Sequence, residues 1–308
     1  MGEDADIRLG LYVPPHPHPL LAPDQNEGWG RLRDAFDTCR KRIEESGADL
    51  ILLYSTTWPS IIGHQIQAHP NPVFTHVDDD FHFLGSMDYE FKMDSEFAES
   101  FRESCEKRGL HARTVSYDGF PIDTGSVVAL KLLNPENKIP ACIVSSNVYS
   151  NRAEQIVLGK AARDSIRDLG RKVAVVVVAS LSNRMFTEHI EPSEDRIHSA
   201  KDDEWNRKIL EFFEDGRLED ISQLSRDIHG QIRVSKVVAY KPAWWMAAAM
   251  GQHNNYDGEV LAYEALHGAG GAVIQITPSG GGVGDKEFDE DDVEFYQGDR
   301  NVLDQGAI

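Results

Sequence analysis

Val173-Ala-Val-Val-Val-Val-Ala-Ser180 is eight residues with no charge and seven apolar side chains in a row. A strand that faces water on one side alternates polar with apolar residues; a run apolar at every position suits a strand buried on both faces, in the middle of a sheet covered by helices. Segments on either side supply the rest of that sheet. Leu9 to Val13 and Leu50 to Tyr54 are short apolar runs bounded by turn residues, Cys142 to Ser145 is another, and Ala272 to Ile276 reads as a last strand. Helical periodicity fills the intervals at Trp29 to Ser46, Asp94 to Arg108, Gly125 to Leu132, Arg152 to Leu169, Asp202 to Asp215 and Lys241 to Met250. Strands alternating with helices predict an α/β protein, a central mixed sheet with helices on both faces.

The chain has 308 residues, 41% of them hydrophobic, enough for one large core. No linker before Ser279 is long enough to divide it, so residues 1–279 are expected to form a single domain. Residues 280–308 open with GGGVG and continue DKEFDEDDVEF without amphipathic period, which predicts a flexible acidic tail. With 31 Lys and Arg against 51 Asp and Glu the net charge is -20, which repels phosphates and anionic lipid, so nucleic acid and membrane are not expected as partners. No run of about 18 apolar residues occurs, and the acidic start MGEDADIRLG lacks the basic and apolar regions of a signal peptide, so a cytoplasmic location is expected. Cys39, Cys105 and Cys142 stand far apart without a CxxC pair and are read as reduced thiols.

Ligand sites of open α/β sheets lie beyond the carboxyl ends of the strands. There the chain has VPPHPHPLLAP (Val13–Pro23), with His16 and His18 in a proline-stiffened loop, YSTTWPSIIGHQ (Tyr54–Gln65) and ASLSNRMF (Ala179–Phe186). His64, His69, His76 and His82 follow at spacings of five, seven and six residues, which fit no single helix or strand face. They are read as surface or hydrogen-bonding groups, and Asp78, Asp79 and Asp80 as a solvated loop, because the spacing of an EF-hand is absent. The glycines of HGAGGAVIQI (His267–Ile276) precede a strand instead of linking a strand to a helix, which argues against nucleotide binding. Ser180 and Ser182 lack a GxSxG elbow. Asp123 or Thr124 is expected to cap the helix that follows GFPIDTGS.

These strand-end segments, together with HVDDDFHFLG (His76–Gly85), GLHARTVSYDGFPIDTG (Gly109–Gly125) and the stretch Glu188 to Leu210, resemble the class III extradiol ring-cleavage dioxygenases, the protocatechuate 4,5-dioxygenase superfamily. The likeness runs from about Leu9 to Ile276 and is greatest with the alpha subunits of two-subunit enzymes that open aminophenol rings. It implies an Fe(II) held by two histidines and a glutamate, with a further histidine as acid and base; two imidazoles and a carboxylate leave coordination positions open for substrate and dioxygen.

Carried over residue by residue, the resemblance implies a degenerate site. His16, or His18 in a shifted register, stands at the first ligand position. Thr57 precedes Trp58 where a histidine is needed. The glutamate should precede the helix bearing Trp245 and Met246, yet no Asp or Glu occurs from His229 to Tyr256, and Lys236, Val237 or Lys241 stand there instead. Asn183 follows Leu181 and Ser182 where the acid and base histidine belongs, and an amide exchanges no proton near neutral pH. The expectation is a chain with no catalytic residue and no metal of its own, a vestigial pocket of His16, His18, Thr57, Asp123 and Asn183, and Fe(II) in a homologous catalytic partner, in an α2β2 hetero-oligomer, with Trp58, Trp244 and Trp245 as candidates for the shared surface. Two alternatives remain open: an altered metal site built from His16, His18 or His64 with Glu259 or Glu264, and a pocket that binds a small aromatic effector without turnover.

Overall fold

A computed structural model describes residues 6–222, 240–251, 256–279 and Tyr296. In chain order these form β1 (Asp6–Val13), α1 (His18–Leu21), α2 (Glu27–Ser46), β2 (Leu50–Ser60), β3 (His64–Gln67), β4 (Val73–Val77), β5 (Ser86–Glu90), α3 (Ser95–Lys107), β6 (Ala112–Val115), α4 (Thr124–Leu133), β7 (Ala141–Asn147), α5 (Arg152–Leu169), β8 (Lys172–Val178), α6 (Ala200–Glu214), α7 (Lys241–Met250), β9 (Tyr256–Leu266) and β10 (Ala269–Pro278). Short 3-10 turns lie at Pro23–Gln25, His82–Leu84 and Pro192–Glu194.

The valine run is the middle of the sheet. β8 pairs in parallel with β1 on one side and β2 on the other, so Val176 stands between Leu11 and Leu53. The whole order is β6-β3-β7-β2-β8-β1-β10-β9, with β10 antiparallel to β1 and β3 antiparallel to β7, a mixed sheet. Alternation along β8 divides its side chains between two layers. Val173, Val175 and Val177 pack with Leu158 and Ala161 of α5 and Trp245 and Met246 of α7. Ala174, Val176 and Val178 pack with Leu32, Phe36 and Ile43 of α2 and Leu130 of α4. The chain is thus one α/β domain with helices on both faces of a mixed sheet. β4 and β5 form a separate antiparallel ribbon.

Local chemistry sets the helix ends. Asn26 caps α2 by accepting hydrogen bonds from the amides of Gly28 and Trp29, and Gly47 ends the helix at φ 69°, a conformation glycine adopts without the Cβ clash. Asp94, Asn151 and Ser199 cap α3, α5 and α6 in the same way.

The structure corrects several expectations. β2 does not end at Tyr54 but runs to Ser60, with its register against β7 shifting between Ser55 and Pro59, so Thr57 and Trp58 lie on the strand and not in the loop after it. His64 starts β3 and is fully buried, its ring bonded to Glu154 of α5. Trp245 is not an interface residue: it is fully buried and stacks on Tyr54 at 5.1 Å. Trp244 and Trp58 are half-buried against the two core layers. The three cysteines are free and buried, Cys39 in the α2 layer, Cys105 and Cys142 in the α5 layer. The expected tail, with Lys236 and Val237, lies outside the described residues except for Tyr296, whose N–H donates to the carbonyl of Arg108 at 3.0 Å. Among the described residues no helix is long and apolar enough to cross a membrane.

Helices α5 and α7 are in close backbone contact. A Cβ at Gly159 would stand 2.6 Å from Ala248 Cβ and 2.7 Å from the Trp245 carbonyl oxygen, so the backbones approach as closely as they do only because Gly159 has no side chain. Gly159→Ala is expected to destabilise the chain by about 1–3 kcal/mol in urea unfolding, since backbone on the far side must move to admit one methyl group.

Candidate functional site

Beyond the carboxyl ends of β1, β2 and β8 lies a cavity of about 470 Å³, lined by residues that include His16, Thr57, His76, Asp78, Asp123 and Asn183. β1 and β2 lie on opposite sides of β8, so the loops leaving β1 and β8 meet Thr56, Thr57 and Pro59 of β2 there.

The wall beside β2 is built on Asp123. Its carboxylate oxygen Oδ1 accepts from the hydroxyls of Ser55 at 2.6 Å and Thr57 at 2.5 Å, and from the amide of Ser126 at 3.0 Å, so the cap of α4 is also the anchor of the strand end. Of the two expected caps it is Asp123 that caps α4. Thr57 Oγ1 accepts in turn from the Gly125 amide at 3.1 Å. A Cβ on Gly125 would lie 2.5 Å from that oxygen and 2.6 Å from Val178 Cγ1; glycine allows α4 to start against the strand ends.

The wall beside the ribbon is a second chain of hydrogen bonds. Thr124 donates its hydroxyl proton to Asp78 Oδ2 at 2.6 Å and accepts from His76 Nε2, also at 2.6 Å. Asp78 Oδ1 accepts from the amides of Asp80 at 3.0 Å and Phe81 at 2.8 Å, which fixes the turn carrying Phe81. Asp78 is therefore half-buried and committed, whereas Asp79 and Asp80 are exposed as expected of a solvated loop.

His16, His18 and Phe81 form a cluster of three rings, with the two imidazoles 6.1 Å apart. The ring centroids are 5.9 Å and 4.5 Å from that of Phe81, and His18 also stands 4.5 Å from Trp29. His16 is 8% exposed and His18 1%. Among the described residues no hydrogen-bond partner is present at the buried Nδ1 of either ring. Burial pushes the His16 pKa down to about 4, against an upward pull from Asp78, with His267 adding to the depression. His18 is likewise pushed well below the ordinary value by burial, then by His16 and His267. Both rings are neutral at pH 7.

His267 completes this group, its ring 5.4 Å from Phe81. It is held at φ 53°, a backbone conformation that side chains other than glycine rarely adopt, by Asp195. Asp195 Oδ2 accepts from the His267 amide at 2.8 Å and from Trp29 Nε1 at 3.0 Å, and Oδ1 accepts from the Gly268 amide at 3.1 Å.

Four of the five pocket residues expected from sequence, His16, Thr57, Asp123 and Asn183, line the cavity. His18 is buried behind Phe81 and does not. Lys241 is also elsewhere: its Nζ donates to the carbonyls of Asn147 at 2.7 Å and Val148 at 2.8 Å beyond β7, and burial lowers its pKa to about 8, with Glu154 opposing. His64 Nε2 is bonded to Glu154 Oε1 at 2.9 Å and does not join His16 and His18. Glu259 and Glu264 are not cavity residues either; they pair with Arg42 and Arg31 at 2.6 Å each, because β9 packs its outer face on α2.

Iron of the type the resemblance implies requires two imidazoles and a carboxylate at one point. These residues do not fit it. Among the described residues no three His, Cys, Asp or Glu side chains are grouped to hold a metal ion. The Thr57 hydroxyl is spent on Asp123 and Gly125, and His76 Nε2 on Thr124.

Fold and cavity define an α/β protein with a histidine- and carboxylate-lined pocket at the strand ends of a mixed sheet. Residues 10–274 match the family of the catalytic LigB subunit of aromatic ring-opening dioxygenase, and the chain belongs to that family. It is 30% identical over 272 residues to the 2-aminophenol 1,6-dioxygenase alpha subunit of a Pseudomonas species, spanning 88% of this chain and 99% of that one. It is also 30% identical over 291 residues to the beta subunit, spanning 88% and 94%. The 3,4-dihydroxyphenylacetate 2,3-dioxygenase of Escherichia coli is 21% identical over 197 residues, 62% of this chain and 70% of that one. Among solved structures, an uncharacterised protein from Escherichia coli K12 superposes with a TM-score of 0.60 at 13% identity, covering 87% of this chain and 99% of the other, a likeness of fold.

Sequence reasoning missed Phe81, His76 and His267 as members of the site. Phe81 and His76 belong to the ribbon segment, which no periodicity marks, and His267 stands in the sequence only as the start of a glycine run.

The buried imidazoles make stability depend on pH with a definite sign. Unfolded, a histidine binds its proton near pH 6.5; folded, His16 does so near pH 4, so between these values the unfolded state holds more protons and stability falls as pH falls. The loss expected for His16 alone is on the order of 3 kcal/mol. Urea unfolding from pH 7 to 4 should show it, and His16→Gln should flatten the slope while His18 retains its own share.

Proposed function

We propose that this chain is the non-catalytic, alpha-like subunit of an extradiol ring-opening dioxygenase that acts on an aminophenol or catechol, working through a homologous catalytic partner that carries the Fe(II). The observation that carries this reading is the occupation of the expected ligand positions by groups already engaged as structure. Thr57 is tied to Asp123 and the start of α4. Asn183 stands in the cavity where a proton-transferring histidine would be needed. Likeness to both an alpha and a beta subunit of one two-subunit enzyme supports a hetero-oligomer, for which we propose an α2β2 arrangement.

A duplicated subunit can retain the surface that meets its partner while its pocket changes, and association then stabilises the active chain by mass action. Purified alone, the chain is expected to hold less than about a tenth of an iron per chain and to take up no oxygen with 2-aminophenol, a threshold set well below the one-to-one occupancy of a working site. Co-expressed with a catalytic homologue, it should co-purify and raise the homologue's oxygen uptake. One iron per chain with uptake by the chain alone would overturn the reading.

A further inference from the structure

Among the described residues eight large hydrophobic side chains are exposed, from 44% to 72% each, and all fall between Ile61 and Tyr149; none lies on an α-helix or on β9 and β10. Val73, Phe74 and Val77 are on β4, and Phe83 is in the turn that follows it. Hydrogen bonds and ring contacts join the loops that carry the others. The Asn147 side chain donates to the Ile61 carbonyl at 3.3 Å and accepts from the Tyr149 amide at 2.8 Å, so the loops after β2 and β7 are one piece. Trp58, three residues before Ile61, packs on Phe120 at 5.8 Å, and the Phe120 amide donates to the Tyr117 carbonyl at 3.2 Å. His69 Nε2 is bonded to Asp118 Oδ1 at 2.8 Å, four residues ahead of β4.

Large side chains present roughly 150–250 Å² when whole, so eight of them about half-exposed offer on the order of 800 Å². The largest apolar patch of a typical monomer is roughly 300–600 Å², and a stable pair buries about 800 Å² on each partner. The area is that of an interface. β4 gives it a direction, for among the described residues it pairs only with β5, and it reads Val-Phe-Thr-His-Val, without the lysine, proline or bulge that ordinarily protects a sheet edge. A chain of net charge -20 is repelled by anionic lipid, so an apolar surface on it suits another protein.

We propose that this surface docks the homologous catalytic subunit, with β4 pairing antiparallel with the equivalent strand of that subunit. The inference rests on the reading that the chain works through such a partner, and says where the two meet. Chains of one fold that associate about a two-fold axis use the same patch on each side. An axis perpendicular to a strand sets it antiparallel to its counterpart, which supplies the neighbour that β4 lacks. The apolar loops around Ile61, Tyr117 and Tyr149 then close over the contact and exclude water from it.

The test is co-purification of the full chain with a tagged catalytic homologue, and the dissociation constant of the pair. Val73→Lys combined with Val77→Lys changes two exposed side chains of one ribbon face, opposite Glu90 and Ser86 of β5, and should leave the Tm of the chain alone unchanged. The double substitution is expected to weaken pairing at least about tenfold. Glu45→Lys combined with Glu211→Lys, exposed on α2 and α6, should pair like the wild type. Hydrogen exchange at the amides of residues 73–77 should slow in the complex. Wild-type pairing that survives the β4 substitutions, falls equally with the α2 and α6 substitutions, or leaves exchange at 73–77 unchanged overturns the docking surface while the partner role stands. A wild-type chain that does not pair removes both. A dimer of the chain alone that the β4 substitutions split, and that excludes the homologue, also overturns the proposal, because the surface then serves a second copy.

Discussion

Burying a strand on both faces leaves its polar backbone no partner except other strands, and this constraint on β8 organises the molecule. β1 and β2 must flank it to satisfy its N–H and carbonyl groups. Its side chains must be covered above and below, which calls for α5 and α7 on one side and α2 and α4 on the other. With β8 apolar along its length, the polar side chains beside it gather where the strand ends. The cavity is therefore a by-product of the core: the loops after β1 and β8 converge there on the last residues of β2.

Single carboxylates and amides then do much of the joining at this end. Asp123 ties β2 to α4, Asp78 ties the ribbon turn to the same helix start, and Asp195 ties α2 to the β9-β10 turn. Asn147 serves similarly beyond β7, donating to the Ile61 and Gly63 carbonyls and accepting from the amides of Tyr149 and Ser150. Each is a short side chain with several backbone or hydroxyl partners, an arrangement that loses little conformational entropy for the number of bonds made.

The sheet's centre was legible because its signal is compositional: an unbroken valine run, and helices whose apolar stripes recur at Leu32, Phe36, Cys39 and Ile43. Helices α5 and α7 fall within the stretches read from periodicity alone. What escaped was the edge: β3, β6 and the ribbon are four or five residues each, and β4 is exposed along most of its length, so neither alternation nor hydrophobicity marks it. For the site, the strand-end rule found His16, Thr57, Asp123 and Asn183. It could not place Lys241, which the turn of α7 directs toward β7, nor bring His267 and Phe81 to His16, since those meetings depend on the path of loops through space.

The three buried cysteines also carry a practical consequence. Burial raises the pKa of all three thiols, that of Cys39 to about 12, so the native chain presents almost no thiolate. An alkylating reagent can reach them only when a core layer opens, and the two layers hold different cysteines. The chain thus carries its own labels for cooperativity: modification of Cys39 at the same rate as Cys105 and Cys142 means that both faces of the sheet open together, and unequal rates mean that one helix layer lifts away while the other still holds.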